Sequence, residues 1–250
     1  MRIALVTGVT AGFGKAIAKT LVDNHYHVIG TGRRQEKLQE LAQELGEHFT
    51  PLCFDIQELD ACQQALQQLP ADLRNIDLLV NNAGLALGLE PADKASWADW
   101  NTMVDTNIKG LMAMTHLILP GMVERNHGHI INIGSIAGTY PYPGGNVYGA
   151  TKAFVKQFSL NLRADLAKTK VRVSNVEPGL CGDTEFSVVR FKGDQDKVKK
   201  LYENVQFIRP EDVANIVLWL NQQPEHVNIN SVEVMPVAQS FSALNVAREG

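Results

Sequence analysis

Short apolar runs recur along the chain between stretches whose apolar positions fall three and four residues apart. This is the signature of buried strands alternating with amphipathic helices. Ile3-Ala4-Leu5-Val6 opens as a strand, and after a glycine-rich turn residues 15–24 read as a helix with Ile17, Ala18 and Leu21 on its buried side. A second strand is expected at 27–30, then a helix at 36–45 turning Leu38, Leu41 and Leu45 inward, with Gly46 as its stop. Leu52-Cys53-Phe54 reads as a third strand ending at Asp55, followed by a helix at 59–69 and a strand at 76–80 that closes on Asn81-Asn82-Ala83-Gly84. A long helix from about 105 to 119 leads to a strand at 128–133; a helix at 148–166, a strand at 171–176, a helix at 210–220 and a strand at 232–235 complete the pattern. Strands joined by helices imply an α/β fold: a doubly wound parallel sheet between two helical layers, with ligands beyond the carboxyl ends of the strands.

Composition narrows the picture. The 250 residues are 45% hydrophobic, enough for one large domain spanning 1–250, and no repeat or low-complexity linker divides them. A formal net charge of -4 gives no reason to expect nucleic acid or an anionic membrane as partner, so a small molecule is expected. Cys53, Cys62 and Cys181 form no C-x-x-C pair and are expected as reduced thiols. The chain enters a strand pattern at once, and no apolar run reaches about 18 residues, so a cytoplasmic location is expected.

The chemistry concentrates after the strands. Thr7-Gly8-Val9-Thr10-Ala11-Gly12-Phe13-Gly14 lies between the first strand and first helix, where backbone N–H groups can approach a pyrophosphate. A dinucleotide site for NAD places a carboxylate at the end of the second strand; here stand Gly32-Arg33-Arg34, and a guanidinium suits the 2′-phosphate of NADP. Tyr148 and Lys152 are four apart, on one face of a helix, and Ser135 follows the fifth strand. A carbinol losing hydride must also lose its hydroxyl proton. Free tyrosine titrates near pH ~10, and lowering that by about 3 units requires roughly 4 kcal/mol of phenolate stabilisation. Lys152 is read as the nearest positive charge, Ser135 as a hydrogen-bond partner of the substrate oxygen, and Asn107 as either a helix cap or the holder of a water leading from Lys152.

Taken together, the glycine turn, the Asn81-Asn82-Ala83-Gly84 segment, Asn107, Ser135, Tyr148-x-x-x-Lys152 and Pro178-Gly179 resemble the short-chain dehydrogenase/reductase family over essentially the whole chain. The resemblance implies a Rossmann-type, NAD(P)-dependent oxidoreductase in which Tyr148 is the acid/base, Ser135 orients the carbonyl, Lys152 also binds the nicotinamide ribose and Asn107 serves a proton relay. It implies further that Asp55 and Ile56 flank the adenine, that Asn82, Pro178, Gly179 and Leu180 line the cofactor, and that helices 105–119 and 148–166 pair in a homotetramer. Within the family, residues 84–88, 141–146, 190–194 and the tail 227–243 resemble the NADP-dependent 3-hydroxy acid dehydrogenases. That likeness implies oxidation of serine, allo-threonine, 3-hydroxyisobutyrate or 3-hydroxypropionate and the reverse reduction of small semialdehydes. Thr10-Ala11 stand where many NADP-using relatives carry a basic residue, which leaves phosphate binding to Arg33 and Arg34.

The segment 180–209 reads as a lid over the substrate. Its Arg190 and Lys192, beside Phe191, either anchor a carboxylate or belong to an ordinary charged loop. His127-x-His129 lacks a neighbouring carboxylate or cysteine to complete a metal site and is expected in a loop role, with no metal. Two further functions stay open: reduction of a bulkier carbonyl such as a 3-oxoacyl thioester or sugar ketone, and a non-catalytic NADP-binding regulator, against which the intact Ser135, Tyr148 and Lys152 weigh.

Overall fold

The computed structural model describes residues 1–241. Seven strands, β1 (Arg2–Thr7), β2 (Tyr26–Gly32), β3 (Phe49–Cys53), β4 (Leu78–Asn81), β5 (Gly128–Ile133), β6 (Val171–Pro178) and β7 (Ser231–Val234), form one parallel sheet in the order β3-β2-β1-β4-β5-β6-β7. The order reverses beside β1, so a crevice opens at the carboxyl ends of β1 and β4, where a doubly wound sheet binds its ligand. Both faces of the sheet are covered, which is why the strands read as apolar runs rather than alternating ones. Ala4 and Val6 face one core with Ile17, Leu21, Val213 and Val217; Ile3 and Leu5 face the other with Met114, Ile118 and Leu162.

The first core is roofed by α1 (Gly12–Asp23), α2 (Gln35–Leu45) and α9 (Pro210–Gln222). Gly46 ends α2 at φ 69°, as its sequence position implies. The second core lies under α3 (Leu59–Gln67), α5 (Leu111–Glu124) and α6 (Asn146–Asp165). No helix among the described residues is long and apolar enough to cross a membrane.

Three elements depart from expectation. β3 starts earlier than expected, at Phe49, and ends at Cys53, because pairing with β2, Val28 opposite Phe49 through Gly32 opposite Cys53, sets its register. Pro51 interrupts the sequence pattern, yet β3 is an edge strand whose outer side needs no donor. The helix expected at 105–119 is the middle of a longer one: α4 (Trp97–Val104), a π-helical segment at Asp105–Gly110 and then α5, which runs on through Pro120 because Met122 is fully buried beneath it. Residues 180–209, expected as a lid, carry two short helices, α7 (Phe186–Arg190) and α8 (Gln195–Tyr202). From the tail, Gln239 turns back so that its side-chain oxygen accepts from the Leu180 amide at 2.7 Å; residues 242 and 243 lie outside the described part.

Candidate active site

At the β1 end of the crevice, Gly8 turns at φ +72° and the amides of Gly8 and Val9 donate to the Thr31 carbonyl at 2.9 and 3.0 Å. Helix α1 starts at Gly12 with no side-chain cap and no acid in its first turn, so its N–H groups and positive dipole end face the cleft uncompensated. A methyl group on Gly14 would land on the Gly8 carbonyl and the Asn82 amide; only glycine lets helix and turn pack this closely. Asn82 fastens the turn to the end of β4 by donating to the carbonyls of Thr7 at 2.8 Å and Gly8 at 3.2 Å. This uncapped cradle fits a pyrophosphate.

Arg33 and Arg34 leave the end of β2 into the same cleft. Arg33 reaches Asp55 at 3.4 Å, while Arg34 donates to the Thr10 hydroxyl at 2.8 Å and meets Glu185, just before α7, at 2.9 Å. Glu185 is a neighbour that the sequence does not announce, since it lies 151 residues from Arg34. The exposed guanidiniums fit a 2′-phosphate.

The other end of the cleft is built by β5, the turn after it and α6. Ser135 caps the turn Ile136–Gly138 by accepting from the Ala137 amide at 3.1 Å. The turn sits hard on α6, since a Cβ on Gly138 would come within 2.7 Å of the Lys152 backbone. Tyr148 and Lys152 are both buried, at 8% and 7% exposure. Burial raises the Tyr148 pKa well above its ordinary value, opposed by the adjacent Ser135 hydroxyl and Arg190 and reinforced by Tyr142 and Cys181. Burial also lowers Lys152 to about 8.

Lys152 is not the only nearby positive charge. Its ammonium donates to the Ile133 carbonyl at 2.8 Å and stands 5.9 Å from the centre of the Tyr148 ring, whereas the Arg190 guanidinium stands at 5.5 Å. Asn107 is neither at a helix start nor a cap. It lies inside the π-helical segment, accepts from the Leu85 amide at 2.9 Å, and donates to the Leu85 carbonyl at 2.9 Å and the Thr151 hydroxyl at 3.1 Å. With its side chain so engaged, Asn107 holds the loop after β4 against α6 beside Gly84, Lys152 lying across the same glycine.

One cleft of about 780 Å³ joins the two ends, lined by Gly8, Thr10, Ala11, Gly12, Phe13, Arg33, Arg34, Asp55, Ile56, Asn82, Ser135, Tyr148, Lys152, Pro178, Gly179, Leu180 and Arg190. Gly14 and Asn107 lie behind its wall. Lys192 does not join it: at φ 52° the chain turns away, and its ammonium pairs with Asp99 at 2.8 Å outside the cleft. Two residues not named as site candidates in the sequence complete this end of the cleft: Phe186, whose ring lies 5.8 Å from that of Tyr148, and Tyr142. His129 is not in a loop: it is buried in β5 between Asn221 at 3.1 Å and Ser174 at 2.9 Å, while His127 sits outside near Asp77 and Glu225.

The short chain dehydrogenase family matches over residues 2–195. A probable NADP-dependent dehydrogenase of Haemophilus influenzae is 66% identical, covering 98% of this chain and 98% of its own. The NADP-dependent 3-hydroxy acid dehydrogenase of Escherichia coli (strain K12) is 61% identical over 99% of this chain and 100% of its own. A closed form of serine dehydrogenase complexed with NADP+ superposes with a TM-score of 0.98 at 61% identity, covering 99% of this chain and 100% of that one.

Proposed function

The chain belongs to the short-chain dehydrogenase family, and from that premise we propose that it is an NADP-dependent dehydrogenase that oxidises the 3-hydroxyl of small 3-hydroxy acids. The substrates are of the serine, allo-threonine, 3-hydroxyisobutyrate and 3-hydroxypropionate type, and small semialdehydes are reduced in the reverse direction. The observation that carries this reading is a buried Tyr148 flanked in one cleft by Ser135 and by Arg190, a cation with no carboxylate partner among the described residues. The relatives named for NADP, for 3-hydroxy acids and for serine support it.

NADP, when bound, would supply the acceptor for the hydride that leaves the carbinol carbon. The cradle of Gly8, Thr10, Ala11, Gly12 and Phe13 would hold its pyrophosphate, Arg33 and Arg34 its 2′-phosphate, and Asp55, Ile56, Asn82 and Pro178 to Leu180 its remaining length. Ser135 donates to the substrate oxygen and aligns it with Tyr148. Tyr148 removes the hydroxyl proton in oxidation and returns it in reduction. Lys152 fixes the ribose from its buried perch on the Ile133 carbonyl. Because the Asn107 side chain is committed to Leu85 and Thr151, its part in a proton relay falls to the main chain of the π-helical segment. Pairing of α5 and α6, which leave Met112 and Leu160 exposed, builds a homotetramer, and the free thiols Cys53, Cys62 and Cys181 suit the cytoplasm.

The test follows NADPH absorbance with NADP+ or NAD+ and L-serine, L-allo-threonine or 3-hydroxyisobutyrate, and in reverse with a small semialdehyde. Turnover with NADP+ and these acids, reduced about 100-fold or more in Tyr148→Phe, is expected. Undiminished turnover in Tyr148→Phe refutes the mechanism. Silence on every acid alongside reduction of a 3-oxoacyl thioester refutes the substrate class.

A further inference from the structure

Arg190 ends α7, and three contacts latch it over the catalytic tyrosine. Its Nη2 donates to the Tyr142 hydroxyl at 2.7 Å, its Nε donates to the Gly88 carbonyl at 3.4 Å, and its own carbonyl accepts from the Gly88 amide at 3.0 Å. The guanidinium lies 5.4 Å from the centre of the Tyr142 ring and 5.5 Å from that of Tyr148. Lys152 approaches Tyr148 from the α6 side, its ammonium held by Ile133. The other groups facing Tyr148 are the Ser135 hydroxyl after β5, Tyr142, and Cys181 after β6, whose thiol burial pushes up to about 12 and so leaves uncharged. Among the described residues, Arg190 is therefore the cation on the lid side of the phenol.

A 3-hydroxy acid carries its carboxylate only two carbon–carbon bonds from the reacting carbinol. Bound beside Tyr148, that negative charge opposes formation of the phenolate that must take the proton. A unit charge at such a separation moves a neighbouring pKa by roughly 0.5 to 2 units across effective dielectrics of about 80 to 20. A compensating cation beside the phenol offsets that charge; the Lys152 ammonium is engaged by the Ile133 carbonyl, whereas Arg190 stands on the α7 side, 5.5 Å from the centre of the Tyr148 ring. Resting on the function proposed above, we propose that Arg190 is a catalytic residue of this reaction. Its guanidinium pairs with the substrate carboxylate and shields the Tyr148 base from it, so that closing α7 completes the anchor and the base together.

The experiment measures kcat and kcat/KM against pH with NADP+, using L-serine or 3-hydroxyisobutyrate and, in parallel, a neutral 1,3-diol of the same skeleton, in the wild type, Arg190→Gln and Arg190→Lys. Loss of the positive charge raises the pKa of the base, so the rising limb of oxidation moves to higher pH. Arg190→Gln is expected to shift it by about 1 unit or more with the acid and by a similar amount with the diol, because the same charge is removed in both. Arg190→Lys keeps the charge and the limb near the wild-type position while raising KM for the acid, because the forked donor is lost. Ultraviolet titration of tyrosinate in the NADP+-loaded protein, with Tyr148→Phe subtracting the other tyrosines, reads the same shift without turnover. If Arg190→Gln raises KM for acids alone and leaves both the limb and the Tyr148 titration unmoved, the residue only anchors and the inference is overturned. Failure of the wild type to oxidise any acid overturns the proposed substrate instead, and the titration still decides whether Arg190 tunes Tyr148.

Discussion

Replacing Glu177 by alanine should destabilise this protein strongly. The carboxylate is 1% exposed at the end of β6, one residue before the segment that lines the cofactor cleft. It accepts from Asn175 at 2.8 Å, from Ser231 of β7 at 2.5 Å, from Lys156 of α6 at 3.0 Å and from Thr139, just past the Ser135 turn, at 3.4 Å. Truncation strands the Asn175 amide nitrogen, whose companion oxygen already lacks a partner, and leaves a cavity between four elements. Lys156 escapes the worst because its side chain is 36% exposed and can turn to water. A stranded buried donor costs about 1–3 kcal/mol and the removed side chain a similar amount, so about 3–5 kcal/mol is expected in all. For a chain of this size that lowers the melting temperature by roughly 10 °C. Glu177→Gln keeps an oxygen for Asn175 and Ser231 while releasing Lys156, and is expected to cost only about 1–2 kcal/mol. Thermal and urea unfolding of both variants checks the reasoning. An alanine variant within about 1 kcal/mol of the wild type, or a glutamine variant as unstable as the alanine one, refutes it.

Two other outcomes follow from charge and burial. Arg33→Ala and Arg34→Ala are each expected to weaken NADP+ binding about 10-fold or more while leaving NAD+ binding nearly unchanged, as read by fluorescence titration; equal losses for both cofactors would remove the arginines from the 2′-phosphate. His129 is held at about 3 by burial, assisted by Arg172, against 6.5 when unfolded, so the unfolded chain alone takes up its proton in between. Stability should therefore fall as pH drops from 6.5 toward 3, by up to about 1.4 kcal/mol per unit from this group. A His129→Gln variant should lose that part of the slope in urea unfolding, and an unchanged slope would contradict it.

Much of this protein is local information. Apolar runs such as Ile3-Ala4-Leu5-Val6 and helical spacings such as Leu38 with Leu41 announce their elements because strand and helix periods are properties of neighbouring residues. The glycine turn and the Tyr148–Lys152 pair are legible for the same reason, since a backbone that admits no Cβ and a spacing of one helical turn act over a few positions. What stays hidden acts over long separations or depends on side-chain direction. The register of β3 is set by β2, the π-helical segment at Asn107 by Leu85 and Thr151, and the continuation of α5 past Pro120 by the core that buries Met122. Arg190 and Lys192 look equivalent in the chain, yet the turn after α7 sends one to Tyr148 and the other to Asp99. Glu177 gathers partners from α6 and β7 that no local pattern connects to it. Periodicity and turn chemistry are enough to choose the sheet and its cleft, because both are settled by sterics and burial within a few residues. The aim of each charge in that cleft is settled only when distant elements pack, because desolvation and pairing are properties of the assembled interior.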